Sequence, residues 1–231
     1  LLKTDWTFKG LFGKFDRGSL QRGYQVYTEV CSSCHSMKYV SYRNLFEPGG
    51  PEFTEGQAKA IAASFEVTDG PNNDGEMFMR PAKLSDKFVM PFENVKAAQA
   101  ANGGAYPPDM SVLAKARTGG VDYIYSVLLG YEDPPSGVTL DEGVYYNKYM
   151  YGNNIKMSEP LSDGLVEYSD GTTASKEQMA KDVTTFLMWT AEPHLEARHK
   201  MGFKAILYLI ILTILVYFSM KKIWSRIESE V

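Results

Sequence analysis

The sequence predicts a mainly α-helical domain with long loops, followed by one C-terminal helix of transmembrane character. Residues 205–220 read AILYLIILTILVYFSM and contain no charged side chain. Two other stretches, around residues 24 and 183, repeat apolar residues at helical spacing. Between residues 35 and 157 the chain is rich in Gly, Pro and Tyr, which is typical of loops.

The composition is that of a globular protein with few residues available for chemistry. A hydrophobic share of 44% excludes a disordered chain. Because 24 Lys and Arg face 28 Asp and Glu, the sequence also argues against a nucleic-acid-binding protein, which normally needs a basic face. Two cysteines allow one disulfide, one metal half-site or one covalent attachment, but no disulfide scaffold.

The first predicted helix ends at a cysteine–histidine motif. Its apolar stripe is Leu20, Tyr24, Tyr27 and Val30, and Ser19 is the predicted N-cap. An amphipathic helix of this kind would bury one face and carry the motif at its end.

The motif is Cys31-Ser32-Ser33-Cys34-His35, the C-x-x-C-H arrangement of c-type haem attachment. Two thiols three residues apart can each add to one porphyrin vinyl group, and the next imidazole becomes the proximal iron ligand. The sequence therefore predicts one covalently bound haem c.

Two other uses of these cysteines remain to be weighed. A dithiol redox site uses the same C-x-x-C spacing, but no βαβ pattern surrounds it here. A zinc site would pair Cys31 and Cys34 with His194 and His199, which lie far along the chain and do not follow a compact finger pattern.

A second amphipathic helix is predicted before the apolar run. Ser175 and Gln178 have the spacing of a capping box, and Glu192-Pro193 ends the helix. The apolar stripe of this helix is Met179, Val183, Phe186 and Leu187.

The apolar run at residues 205–220 predicts a membrane anchor. Sixteen residues give about 24 Å of helix, and extension between Lys204 and Lys221 reaches bilayer thickness because both side chains can snorkel. Positive charges are balanced on the two sides, so orientation follows from haem attachment, which occurs on the outer, oxidising side. We expect residues 1–200 to form the outer haem domain, and residues 201–231 to form the anchor and a short inner tail.

The residues alone leave the second axial ligand of the iron open. Met90 and Met157 lie in predicted loops, whereas Met179 and Met188 lie on a helical pattern. His194 and His199 immediately precede the span, where an interfacial role is expected.

Several longer strings resemble the cytochrome c1 family, the haem subunits of ubiquinol–cytochrome c oxidoreductases. They are CSSCH, ANGGAYPPDMSVLAKARTGGVDYIYSVLLGYEDPPSGV, YYNKYMYGNNIKMSEPL and AKDVTTFLMWTAEPHLEARHKMGFK, followed by the anchor. The resemblance covers nearly the whole chain and implies a class I cytochrome c-like haem domain with long insertions.

The resemblance also implies roles for individual residues. Met157 takes the distal position, opposite His35, so Met90 is not the ligand. Arg117 and Tyr123 lie near the haem propionates, Asn102 is a third candidate there, and Pro107-Pro108 packs beside the haem.

The function implied by the resemblance is electron transfer without substrate chemistry on this chain. Electrons pass one at a time from a Rieske iron–sulfur protein to a c-type cytochrome, within a dimeric complex that includes a cytochrome b subunit. The implied location is the bacterial cytoplasmic membrane with the haem domain in the periplasm, or the mitochondrial equivalent. The alternatives are an open-coordination haem enzyme or gas sensor, a structural subunit that carries haem only for folding, and cytochrome f, whose largely β fold the helical pattern opposes.

Acidic residues predict where an acceptor docks. Residues 1–200 hold 26 of the 28 Asp and Glu, and two windows are rich in them, 64–79 and 157–175. Acidic groups beside a haem edge would steer a basic cytochrome c. The acidic residues of the two windows are Glu66, Asp69, Asp74, Glu76, Glu159, Asp163, Glu167 and Asp170.

Overall fold

A computed structural model describes residues 1–228. This part of the chain is mainly helical, as predicted, with two short hairpins and turns of π-helix at Tyr27–Cys31 and 3₁₀-helix at Tyr42–Leu45 and Tyr151–Asn153. The elements in chain order are α1 Arg17–Val26, α2 Glu55–Ala63, β1 Glu66–Asp69, β2 Phe78–Pro81, α3 Val95–Ala101, α4 Leu113–Ala116, α5 Gly120–Leu129, β3 Tyr145–Tyr146, β4 Asn154–Ile155, α6 Lys176–Ala191 and α7 Leu195–Glu228.

The N-cap of helix α1 lies three residues before the predicted one. Asp16, not Ser19, is the N-cap, and its carboxylate accepts a hydrogen bond from the Ser19 backbone amide at 2.7 Å. The predicted stripe is confirmed, since Leu20, Tyr24 and Tyr27 are buried. Ser19 lies inside the helix, where its hydroxyl donates to a carboxylate of α6.

Helices α1 and α6 form the most extensive helix pair of the domain, and a buried carboxylate joins them. Asp182 of α6 is fully buried. It accepts hydrogen bonds from Ser19 Oγ at 2.6 Å, Arg22 Nε at 2.8 Å and Gln178 Nε2 at 3.0 Å. Because a buried charge is costly unless paired and hydrogen-bonded, this network specifies how the two helices meet.

Helix α6 has the predicted start and apolar face. Ser175 Oγ accepts a hydrogen bond from the Gln178 backbone amide. The Gln178 side-chain amide donates to Asp182 instead, so the predicted capping box is not completed. The residues of the predicted stripe are buried. Phe186 packs against Tyr24 and Tyr27 of the α1 side, with ring centroids 5.8 Å apart in both pairs.

The two hairpins lie within the long loops and were not predicted. Strands β1 and β2 pair antiparallel with Glu66 opposite Pro81. Strands β3 and β4 pair antiparallel with Tyr145 opposite Ile155. The second hairpin ends just before Met157, so it positions the predicted distal loop.

Helix α7 is long and apolar enough to cross a membrane. Its apolar window has a mean hydropathy of 2.2 and is entirely unburied against the rest of the protein. The break at Glu192-Pro193 is confirmed, since α6 ends at Ala191 and α7 begins at Leu195. The helix passes through residue 200 without interruption, and residues 229–231 of the predicted tail lie outside the described residues.

Candidate functional site

The C-x-x-C-H motif folds as one compact turn at the end of α1. The Ser32 amide donates to the Tyr27 carbonyl at 2.8 Å, which closes the π-helical turn. The amides of Cys34 and His35 both donate to the Cys31 carbonyl, at 3.2 and 2.9 Å. The turn therefore gathers two free thiols and one imidazole at the same helix end. Burial raises the pKa of the Cys31 thiol to about 12.

The imidazole of His35 is buried and oriented by a backbone carbonyl. Its Nδ1 lies 2.9 Å from the carbonyl oxygen of Pro108. Because a carbonyl can only accept, Nδ1 carries the proton in this contact and Nε2 keeps a lone pair. Burial lowers the pKa of His35, although the bond to Pro108 opposes the shift. A neutral imidazole with its second nitrogen held in this way is the usual state of a metal ligand.

Further hydrogen bonds hold the Pro108 segment against the motif. The Asp109 carboxylate accepts from Ser36 Oγ at 2.8 Å and from the Lys38 amide at 3.0 Å, and the Met110 amide donates to the Ser36 carbonyl at 2.8 Å. Burial alone would raise the pKa of Asp109, but hydrogen bonds from Ser111 and Ser36 keep it below the usual value. An ionised Asp109 thus fixes the carbonyl that orients His35.

Met157 lies in a half-buried loop that contacts two other segments. The Tyr131 hydroxyl donates to the Met157 carbonyl at 3.0 Å, and burial raises the pKa of Tyr131, which keeps this donor protonated. The neighbouring Lys156 ammonium donates to the Gly103 carbonyl at 2.8 Å.

The segment 103–108 therefore connects the two predicted ligand regions. Gly103 binds the residue before Met157, and Pro108 binds His35. Five residues of extended chain span at most about 18 Å, so the motif turn and the Met157 loop lie on the same part of the domain. Among the described residues, no hydrogen bond joins His35 directly to Met157.

The three residues predicted near the propionates differ in their contacts. Arg117 is exposed and donates to the Ala116 carbonyl at 3.1 Å; no carboxylate of residues 1–228 pairs with it. Tyr123 donates to Met150 Sδ at 3.0 Å, and Asn102 donates to the Ala98 carbonyl at 2.7 Å as the C-cap of α3. Of these three residues Arg117 alone is charged, and it has no carboxylate partner in the described part of the chain.

The zinc alternative is not supported by the structure. In the described part of the chain, no three His, Cys, Asp or Glu side chains are grouped as a metal site would require. Met90, which the resemblance sets aside as a ligand, is 46% exposed and borders a cleft beside Thr28 and Ser32.

Comparison with known proteins identifies the family of the chain. The sequence model described as the cytochrome C1 family matches residues 6–227. The chain belongs to the cytochrome c1 family. The family assignment confirms the resemblance found in the motifs and covers the domain as well as α7.

Individual members of the cytochrome c1 family are similar over almost the whole chain. The chain is 52% identical to cytochrome b/c1 of Bradyrhizobium diazoefficiens over 95% of its own length, but spans only 35% of that longer protein. It is 49% identical to cytochrome c1-2, heme protein, of potato mitochondria, covering 97% of this chain and 85% of the relative. A Candida albicans relative, named cytochrome b-c1 complex catalytic subunit, is 48% identical over 98% of this chain and 78% of its own length.

Sequence reasoning missed two residues that shape this cytochrome c1 family site. Asp109 was part of the resemblance but received no role; its signal was an acidic residue directly after Pro107-Pro108, the pair predicted to pack beside the haem. Tyr131 gave no sequence signal, because its contact joins positions 26 residues apart through loops of irregular structure.

Proposed function

We propose that this chain is the haem-carrying electron-transfer subunit of a cytochrome bc1-type complex. The observation that carries the proposal is the C-x-x-C-H turn whose His35 is oriented by the Pro108 carbonyl. Names of similar proteins support it, since they include a heme protein and a subunit of a b-c1 complex.

The donor set of the site fits a covalent haem. Cys31 and Cys34 would form the two thioether bonds, His35 Nε2 and the Met157 sulfur would ligate the iron, and Arg117 would bind a carboxylate of the porphyrin edge. Such a group supplies a one-electron Fe(III)/Fe(II) couple whose potential is raised by Met/His ligation. The role of the chain is to hold His35 neutral and oriented, through Pro108 and Asp109.

We infer the partners and the location from the same family. A Rieske iron–sulfur protein would be the donor, a c-type cytochrome the acceptor and a cytochrome b subunit the membrane neighbour, in a dimeric complex. Residues 1–200 would face the periplasm or its mitochondrial equivalent, with α7 as the anchor and the C-terminus on the inner side. The subunit would perform no substrate chemistry alone.

The acceptor would dock on the acidic face of the domain. One cleft along α1 is lined by Ser64 and Phe65 of the first acidic window and by Ser169 and Asp170 of the second, so these parts of the two windows lie near each other. Ion pairs neutralise part of this charge: Asp69 binds Arg80, Asp170 binds Arg22 and Glu159 binds Lys176. Among the described residues no ion pair is formed by the five other acidic residues of the windows. Asp163 accepts a hydrogen bond from the Lys176 backbone amide; we call the other four, Glu66, Asp74, Glu76 and Glu167, the unpaired acidic set.

An absorption spectrum of the reduced protein, with and without carbon monoxide, tests the proposal. Two protein ligands on the iron should leave the spectrum unchanged by carbon monoxide, and acidic acetone should not extract the haem because thioether bonds hold it. Ready carbon monoxide binding would favour the open-coordination enzyme or sensor, and extractable haem would contradict covalent attachment.

A further inference from the structure

A tight loop near the N-terminus exposes two consecutive apolar side chains. The Lys14 amide donates to the Thr7 carbonyl at 3.0 Å, and the Gly13 amide donates to the Gly10 carbonyl at 3.2 Å. A Cβ atom at Gly13 would lie 2.3 Å from the Phe8 carbonyl oxygen. The backbone of Phe8 thus approaches residue 13 too closely for any side chain there. The tip, residues 10–13, is therefore a closed and well-defined structure.

The base and the tip of this loop have opposite environments. Phe8 and Phe15 at the base are 3% and 4% exposed, and their rings contact each other at a tilt, with centroids 5.2 Å apart. Leu11 and Phe12 at the tip are 64% and 71% exposed. A single exposed apolar residue is ordinary, but two large ones held at the end of a rigid turn indicate a surface that is covered in the assembled protein.

The tip lies beside the entrance of the apolar helix. The rings of Phe12 and Phe203 have centroids 5.9 Å apart, and Phe203 lies two residues before the uncharged run of α7. The base is fixed to the first turn of α7, because Glu196 accepts from the Phe15 amide at 3.0 Å and from Arg17 at 2.8 and 3.0 Å. The loop therefore has a defined position relative to the span.

We propose that the tip of this loop, residues 10–13, inserts Leu11 and Phe12 into the interfacial region of the lipid bilayer. This inference rests on the proposed membrane-spanning role of α7. The tip is continuous with the apolar surface of that helix through Phe203, so a bilayer that surrounds the span reaches the loop as well.

Charge and size favour lipid over a protein partner. Lys14 and Lys204 flank the apolar tip, are exposed and pair with no carboxylate in the described part of the chain, which suits phosphate headgroups. Two side chains offer far less area than the roughly 1,000 Å² that a specific protein interface needs. A single helix leaves the outer domain free to tilt, and a second contact with the membrane would restrict that tilt.

Site-specific photo-crosslinking in membranes containing the assembled complex tests the proposal. Phe12→p-benzoylphenylalanine is compared with Tyr151→p-benzoylphenylalanine, at a side chain that is 98% exposed but lies in a loop of the domain. Leu212→p-benzoylphenylalanine, inside the apolar run, controls for the span itself. The haem spectrum of each variant verifies folding, and mass spectrometry identifies what is attached to each labelled peptide.

Lipid adducts at positions 12 and 212, with about tenfold fewer at 151, are expected from interfacial burial. Lipid at 212 but not at 12 would refute the loop contact and leave the anchor intact. Lipid at neither position would refute both. A protein adduct at position 12, from another subunit or from a second copy of this chain, would show that a protein covers the tip and would contradict the proposal.

Discussion

Replacing Gly23 by alanine tests whether the close approach of α1 and α6 positions the C-x-x-C-H turn. A Cβ atom at residue 23 would lie 2.1 Å from the Asp182 carbonyl oxygen and 2.8 Å from Phe186 Cβ. Ordinary contacts of this type begin near 3.4 Å. The two helices would therefore have to separate by roughly 1 Å, because the nearest atom belongs to the backbone and cannot rotate away.

The Gly23→Ala substitution should lower the free energy of unfolding, although alanine usually stabilises a helix relative to glycine. Overpacking a core costs about 1–3 kcal/mol and alanine over glycine returns up to about 1 kcal/mol, but separating the helices also disturbs the buried Asp182 network. We expect the free energy of unfolding to fall by about 3 kcal/mol, which lowers Tm by about 6–12 °C in a domain of this size. Thermal unfolding of the haem-loaded protein, followed by far-UV circular dichroism and by the haem absorption, measures the shift.

Gly56→Ala is the matched control. Gly56 lies in α2 with nothing within 4 Å of its Cβ position, so alanine there should be neutral or stabilise the protein by up to about 1 kcal/mol. A Gly23→Ala protein as stable as the wild type would show that the helix pair tolerates separation, and that its close contact does not hold the motif.

Three further predictions concern charge and the anchor. Amide substitution of the unpaired acidic set should slow reduction of a basic cytochrome c and flatten the salt dependence of the rate in stopped-flow experiments; an unchanged salt slope would place the acceptor elsewhere. Burial would raise the pKa of Asp122, but hydrogen bonds from Trp6, Lys3 and Lys9 lower it to about 2. This carboxylate should thus contribute about 2 kcal/mol of stability above pH 4 that is lost as the pH falls towards 2. In urea titrations at a series of pH values, Asp122→Asn should remove this part of the loss of stability at low pH. An unchanged dependence of stability on pH below 4 would assign the loss to other groups. A stop codon after Lys200 should give a soluble protein with an unchanged haem spectrum that no longer co-purifies with membrane subunits, and an unfolded or haem-free product would refute an independent outer domain.

The helical frame was predictable because its residues repeat at short, regular spacing. The stripes of α1 and α6 and the break at Glu192-Pro193 follow from local pattern alone, and the structure confirms them. The predicted N-cap of α1 was wrong because Asp16 and Ser19 are both good capping residues. The Ser19 hydroxyl instead binds Asp182, which is 163 residues away in the sequence.

The sequence proposes the residues of the candidate site but does not reveal the contacts that support them. The spacing of Cys31, Cys34 and His35 predicts covalent haem, whereas the choice of Met157 came from the resemblance. The hairpin β3–β4, the Tyr131 contact and the bond from His35 to Pro108 join distant segments of loop, which carry no periodic signal. Likewise, counting the charges in each window could not predict that Asp69 and Asp170 form ion pairs.

The axial ligation of the iron is the central claim, and one pair of variants tests it most directly. Met157→Leu should retain covalent haem, lose the methionine-to-iron charge-transfer band of the oxidised protein and show a much lower potential in a redox titration. Met90→Leu, the matched control, should leave both band and potential unchanged. Loss of the band in Met90→Leu, together with its retention in Met157→Leu, would contradict the assignment.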